Sequence, residues 1–136
     1  MRRLVLLAVL LLAACGGGTR GPESVVRAWS KALNAGDAEA AGALFAPNAR
    51  VVQGNAELVL HDASQARAWN DGLPCSGKIT KLQVKGEVVT AWFLLGNRPG
   101  HACDAPGAKA EAVIRVHDGK IALWHQIATE NAPPVV

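Results

Sequence analysis

The stretch from Lys109 to Ile127 constrains the chain most. Two runs rich in Val, Ile, Leu and Trp fold back on each other through His117-Asp118-Gly119-Lys120, and Asp-Gly between such runs is a strong short-range signal for a hairpin. Gly119 supplies the positive φ that a tight turn needs, and Asp118 can cap the turn with its own carboxylate. β-branched and aromatic residues on both flanks fit a pleated, largely buried ribbon better than a helix. This hairpin is the expected spine of a sheet. It carries no catalytic signature.

The opposite end of the chain is a processing signal. Arg2 and Arg3 form a basic region, Leu4 to Leu12 an apolar run too short to span a bilayer, and Ala13-Ala14 a small-residue cleavage context. Leu12-Ala13-Ala14-Cys15 resembles the lipobox of bacterial lipoproteins, which implies lipidation of the Cys15 thiol after removal of residues 1–14. The resulting expectation is an exported protein, lipid-anchored to the bacterial cell membrane. Residues 15–21, with the glycine-rich run GGGTRG, form a flexible tether. One domain follows over 22–130, with a C-terminal tail at 131–136. The chain has too little length for a second domain.

Two of the 14 Lys and Arg residues belong to the leader, so a formal charge of +3 falls to +1 against 11 Asp and Glu. No contiguous basic run with interleaved aromatics argues for a nucleic-acid partner. With Cys15 assigned to the lipid, Cys75 and Cys103 remain as a pair in an oxidising compartment, where a disulfide is expected. Hairpin pairing about Gly86 brings both to the same edge.

Pro22 suits a first helical position, and Val25, Val26, Trp29, Ala32 and Leu33 recur on one face, opposite Arg27, Ser30, Lys31 and Asn34. A corner at Asn34-Ala35-Gly36-Asp37 leads into a second helix running through Phe45 and closed by Pro47. Arg50 to Gln53 and Glu57 to Leu60 read as short strands. Asp62 caps a third helix with Ala66, Trp69 and Leu73 inward, ended by Gly72 and Pro74. Lys78 to Lys85 alternates Ile79, Lys81, Gln83 and Lys85 against Thr80, Leu82 and Val84. Gly86 turns it into an apolar strand over Glu87 to Leu95, and a long loop, Gly96 to Ala108, carries Cys103. Helices first and strands afterwards give an α+β domain.

The stretch AWSKALNAGDAEAAGALFAPNARVV, followed by VHDGKIALWHQI, resembles the NTF2-like superfamily, in particular its SnoaL-like and ketosteroid-isomerase-like members. The likeness runs from about Glu23 to Ile127. It implies a cone: a curved antiparallel sheet wrapped around the N-terminal helices, enclosing a pocket for a small apolar molecule. The isomerase-like members use a tyrosine on the first helix, an aspartate base on the first strand and an acid on the strand before the DGK-type turn. Those positions fall here on Trp29, Gln53 and Ala112. An indole donates only weakly, an amide takes no proton at neutral pH and a methyl does neither. Arg50 and Glu111, the nearest ionisable neighbours, do not restore the set.

The resemblance places Trp29, Gln53, Ala112, Trp124 and Gln126 in the pocket, while Trp69 is expected mainly in the core. His61, His101, His117 and His125 show no helical metal-pair spacing, so neither a metal nor a cofactor is expected. For the hairpin, a two-residue Asp-Gly turn would group Ala112, Ile114 and Val116 with Ile121, Leu123 and Ile127. A bulged three-residue turn would group them with Ala122, Trp124 and Gln126, and the resemblance favours this second register. It leaves Ile121, Leu123 and Ile127 on the outer face for a dimer mate or an envelope protein.

Three functions follow. The first is a non-catalytic module binding a small apolar molecule. The second is a SnoaL-like isomerase, cyclase or hydrolase with relocated groups, for which Asn55, His61 and His125 are candidates. The third is an accessory interaction domain of the cell envelope.

Overall fold

The structure, a computed structural model, describes residues 20–128. The leader, Cys15, most of the tether and the tail at 131–136 lie outside the described residues. Helix α1 (Pro22–Asn34) opens with proline in its first turn and buries Val25, Val26, Trp29 and Leu33, the expected stripe. Ser30, expected on the solvent side, is buried as well, because its hydroxyl donates to the Gly77 carbonyl at 2.9 Å. Asn34 extends this contact: its amide nitrogen donates to the Gly77 carbonyl at 3.0 Å and its oxygen accepts from the Gly77 N–H at 2.9 Å. One asparagine side chain thus imitates a neighbouring strand and fastens α1 to the sheet.

Gly36, at φ 75°, turns the corner, and the Asp37 carboxylate accepts from the Ala40 N–H at 2.9 Å to cap α2 (Ala38–Gly42). This helix is shorter than expected. Phe45 begins strand β1 (Phe45–Gln53) instead of ending the helix, and Pro47 sits inside that strand. It is tolerated because the ladder to the neighbouring strand shifts register between Phe45 and Arg50, leaving a bulge in which Asn48 adopts φ 61°. β2 (Ala56–Leu60) follows, and Asp62 caps α3 (Ala63–Gly72) by accepting from the Gln65 N–H at 2.9 Å. β3 (Ser76–Lys85), β4 (Val88–Gly96), β5 (Lys109–His117) and β6 (Lys120–Ile127) complete the chain.

The six strands form one sheet in the order β2-β1-β6-β5-β4-β3. Helix α3 carries the chain from one edge to the other, and the meander β3 to β6 returns to pair β6 with β1. That pair is parallel while the others are antiparallel, so the curved sheet is mixed rather than wholly antiparallel. The helices pack on its concave face over a core that includes Trp29, Phe45, Val51, Phe93, Ile114 and Trp124.

The two registers considered for the last hairpin both occur. At the tip His117 pairs with Lys120 and Val116 with Ile121, and Asp118 and Gly119 both take positive φ, as a type I′ turn demands. A shift between Arg115 and Val116 then places Ile114 opposite Trp124 and Ala112 opposite Gln126. The bulge therefore lies up the strand rather than at Gly119. Its consequence is a correction: Ile121 is fully buried in the core, and only Leu123 and Ile127 stay half-buried on the outer face. A similar shift between Ile79 and Lys81 turns Ile79 and Leu82 to the same, inner side of β3, against the strict alternation expected.

Cys75 and Cys103 form the expected disulfide, joining the α3–β3 connection to the β4–β5 loop across 28 residues. In the chain-entropy model a loop of that length stabilises the fold by about 3–4 kcal/mol. Urea unfolding of Cys75→Ala/Cys103→Ala should show that loss. Gly42 offers a second test, since a β-carbon there would stand 2.7 Å from the main-chain nitrogen of Arg67. Gly42→Ala should cost about 1–3 kcal/mol by forcing α2 and α3 apart, despite alanine's better helix propensity.

Candidate functional site

Between α1, α3 and the concave face of the sheet lies a cavity of about 470 Å³. Sites for small organic molecules run from about 300 to 1,000 Å³. Trp29, Gln53, Ala112, Trp124 and Gln126, drawn from α1, β1, β5 and β6, all line it. The parallel pairing of β1 with β6 sets Gln53 beside Gln126 and Val51 beside Trp124. The two amides meet at 3.3 Å, Gln53 Nε2 donating to Gln126 Oε1.

The apolar wall is aromatic. Trp124 packs edge to face on Trp69 at 5.1 Å between ring centroids and on Trp29 at 5.9 Å, and Phe93 meets Trp29 at 6.1 Å. Such pairs contribute about 0.5–1.5 kcal/mol beyond the area they bury, so the wall is firm. Trp69, expected mainly in the core, does both: it packs on the core and borders the cavity.

Two of the three indole N–H groups around the cavity, those of Trp29 and Trp124, differ in one respect. Trp29 Nε1 donates to Asn70 Oδ1 at 2.8 Å, and Asn70, fully buried, donates in turn to the Ala66 carbonyl at 2.8 Å. Arg98, also buried, donates to the main-chain carbonyls of Asn70 and Leu73 at 2.8 and 2.7 Å. It thereby closes the end of α3 with a cation where the helix dipole favours one. Trp124 Nε1, by contrast, is buried with no hydrogen-bond acceptor among the described residues.

Ionisable groups stand at the border. Asp104 lines the mouth and is exposed, with Oδ1 3.4 Å from Cys75 Sγ. Glu111 also borders the cavity, but it pairs with Trp92, whose face is opposite to that of buried Ala91 and Phe93. Its main chain, not its carboxylate, faces inward. Asn55, His61 and His125 do not line the cavity: Asn55 is exposed in the β1–β2 turn, His61 meets Asn48 Oδ1 at 3.0 Å on the surface, and His125 pairs with Val113 on the outer face. His117 lies at the hairpin tip, 2.9 Å from Glu87. Among the described residues Cys75, Cys103 and Asp104 alone cluster as metal ligands would, and the first two are spent in the disulfide.

Sequence reasoning missed Asn70 and Arg98, and gave Asp104 no place at the cavity. The spacing of Ala66 and Asn70 by four in α3 does place Asn70 on the inner face and could have exposed it. Arg98 and Asp104 sit in a loop with no periodicity to read.

Comparison with known proteins agrees with this geometry. Residues 26–124 match the SnoaL-like domain family, and the chain belongs to that family. No curated protein matches the chain at a significant level. Among solved structures, an NTF2-like protein of unknown function from Cytophaga hutchinsonii is similar over 78% of this chain and 88% of its own, at 13% identity and a TM-score of 0.65. A protein with a ketosteroid isomerase-like fold from Catenulispora acidiphila, in complex with trimethylamine, is similar over 82% and 88%, at 22% identity and 0.63. A de novo designed protein with a curved β-sheet reaches 0.63 at 19% identity, over 77% of this chain and 82% of its own. All three are below 25% identical to this chain, and what they share with it is the fold.

The Trp29–Asn70 bond generates a prediction. Asn70→Ala leaves a buried indole N–H without an acceptor and should destabilise the domain by about 2–3 kcal/mol in urea unfolding. Asn70→Asp should lose at least as much, because a buried carboxylate oxygen would face the Ala66 carbonyl that now accepts from the amide.

Proposed function

We propose that the protein is an exported lipoprotein, anchored through Cys15, whose domain binds a small, mostly apolar, neutral molecule without transforming it. The observation that carries this reading is the cavity wall. Three indoles and Phe93 supply apolar surface, the Gln53–Gln126 pair supplies oriented amides, and Trp124 Nε1 is a buried donor without an acceptor among the described residues. Leaving such a donor unpaired costs about 1–3 kcal/mol. A carbonyl or ether oxygen on a ligand, met by a small shift of the ring, would recover that energy and orient the molecule. The positions corresponding to the family's acid and base hold Ala112 and Gln53, neither of which can move a proton at neutral pH.

Export is supported by the Cys75–Cys103 disulfide, which persists in oxidising compartments. No helix among the described residues is long and apolar enough to cross a membrane; the anchor in this reading is the lipid on Cys15. At the membrane surface apolar ligands partition, which suits a carrier or sensor.

The alternative, an isomerase, cyclase or hydrolase, has one observation in its favour, the Asp104 carboxylate at the cavity mouth. A screen separates the two. Neutral ketones, lactones and aromatic ethers, with trimethylamine as a cationic comparison, are titrated while tryptophan fluorescence and turnover are followed together. The expected result is saturable quenching without turnover, weakened about 10-fold by Trp124→Phe, which keeps a ring and deletes the donor. Turnover abolished by Asp104→Asn would establish the enzyme instead.

A further inference from the structure

We propose that the outer face of β3, β4 and β5 is a docking surface for anionic phospholipid headgroups. Strand register decides which side chains stand together there. Leu94 lies between Lys78 and Lys109, Trp92 between Lys81 and Glu111, and Val88 between Lys85 and Arg115. The remaining rung, Gln83, Thr90 and Val113, is uncharged. Directly paired residues of neighbouring strands project to one face, and this face is opposite to the one carrying buried Val89, Ala91 and Phe93. Five cations therefore surround Trp92 and Leu94, with Glu111 as the single carboxylate among them. All five cations are exposed, and so is Leu94. Glu87, the nearest acid in the β3–β4 turn, is engaged by His117 at 2.9 Å.

The chemistry of the face matches a bilayer surface. Lys81 Nζ stands 4.7 Å from the centre of the Trp92 ring, a cation–π pair that sets a cation and an indole side by side on the exposed face. Tryptophan is favoured at headgroup depth, and each lysine near an anionic surface strengthens attachment about 5-fold. The contiguous sequence hides this patch, since its cations come from three strands.

The path of the chain brings the tether to the same edge strand. Gly21 and Pro22 share a shallow groove with Val84, which alternates with Lys85 and lies on the inner side of the strand, so the domain begins beside β3. This part of the argument rests on the lipid-anchor reading: Cys15 is six residues upstream of Gly21, a reach of at most about 20 Å. An anchor that short holds β3, the edge strand, toward the membrane. A lipid chain combined with a polybasic patch is a known route to firm attachment.

The test uses the full mature chain from residue 15 with Cys15→Ser, so that no lipid contributes. Flotation is measured with phosphatidylcholine vesicles and with vesicles of equal parts phosphatidylcholine and phosphatidylglycerol. Binding is expected only to the anionic vesicles, lost at high salt, and weakened about 100-fold by Lys78→Gln, Lys81→Gln and Lys85→Gln together. Trp92→Ala should weaken it while the salt dependence persists. Equal binding to both vesicle types, no binding to either, or full binding by the triple variant would overturn the proposal. So would equally tight binding of a single-stranded oligonucleotide, or a dimer in solution that protects Trp92 from quenching. The mass of the mature native protein checks the anchor separately, because an unmodified Cys15 would remove the tether argument without altering the vesicle result.

Discussion

A single buried amide ties this domain together. Asn70 receives the indole N–H of Trp29 and returns its own amide to the carbonyl one turn back in α3. Its main-chain oxygen is held by Arg98 from the β4–β5 loop. Three segments far apart in the chain, α1, α3 and a loop, thereby meet on a residue with no exposure to water. In such surroundings an unpaired polar group is costly, so these bonds fix the geometry more tightly than apolar packing alone would fix it. The disulfide fastens the same loop to the same end of α3, where Cys75 also borders the cavity. The rim of the cavity is thus braced by hydrogen bonds and a disulfide, while its interior is held by aromatic packing.

That arrangement explains why the cavity stays open. Side chains on the concave face could collapse onto α1, but α1 is held at Gly77 by Ser30 and Asn34 and at Asn70 by Trp29. A β-carbon at Gly77 would stand 3.0 Å from the Phe93 ring, which would have to give by a few tenths of an ångström. The space left beneath the helix is lined by groups too large and too well packed to fill it. Small residues at Ala68, Ala110 and Ala112 widen it further.

How far the sequence discloses this follows from the range of each signal. Local chemistry was legible: the Asp37 and Asp62 caps, the Pro22 start of α1 and the Asp118-Gly119 turn each depend on residues within one turn or hairpin. The pairing of Cys75 with Cys103 was legible because, with Cys15 read as the lipid site, only those two of the three cysteines were left to pair. Strand shifts were not. The bulges near Asn48, Thr80 and Ala122 are set by what the partner strand must bury, and they moved Ile121 into the core and Leu82 to the inner side. The parallel closure of β6 on β1 spans most of the chain and leaves no local mark. The five expected pocket residues converge on one cavity, but Asn70 and Arg98, which position the helices around it, were visible only through contacts between elements.

The central claim is that the cavity beneath Trp29 and Trp124 receives a ligand oxygen at the unpaired indole donor. Nitrogen-edited NMR of the four indole N–H groups addresses it most directly. Saturation with a bound neutral ketone should move the Trp124 Nε1–H resonance downfield and protect it from exchange, while Trp92 on the outer face stays in place. A ligand that shifts Trp92 and leaves Trp124 unchanged would contradict the account.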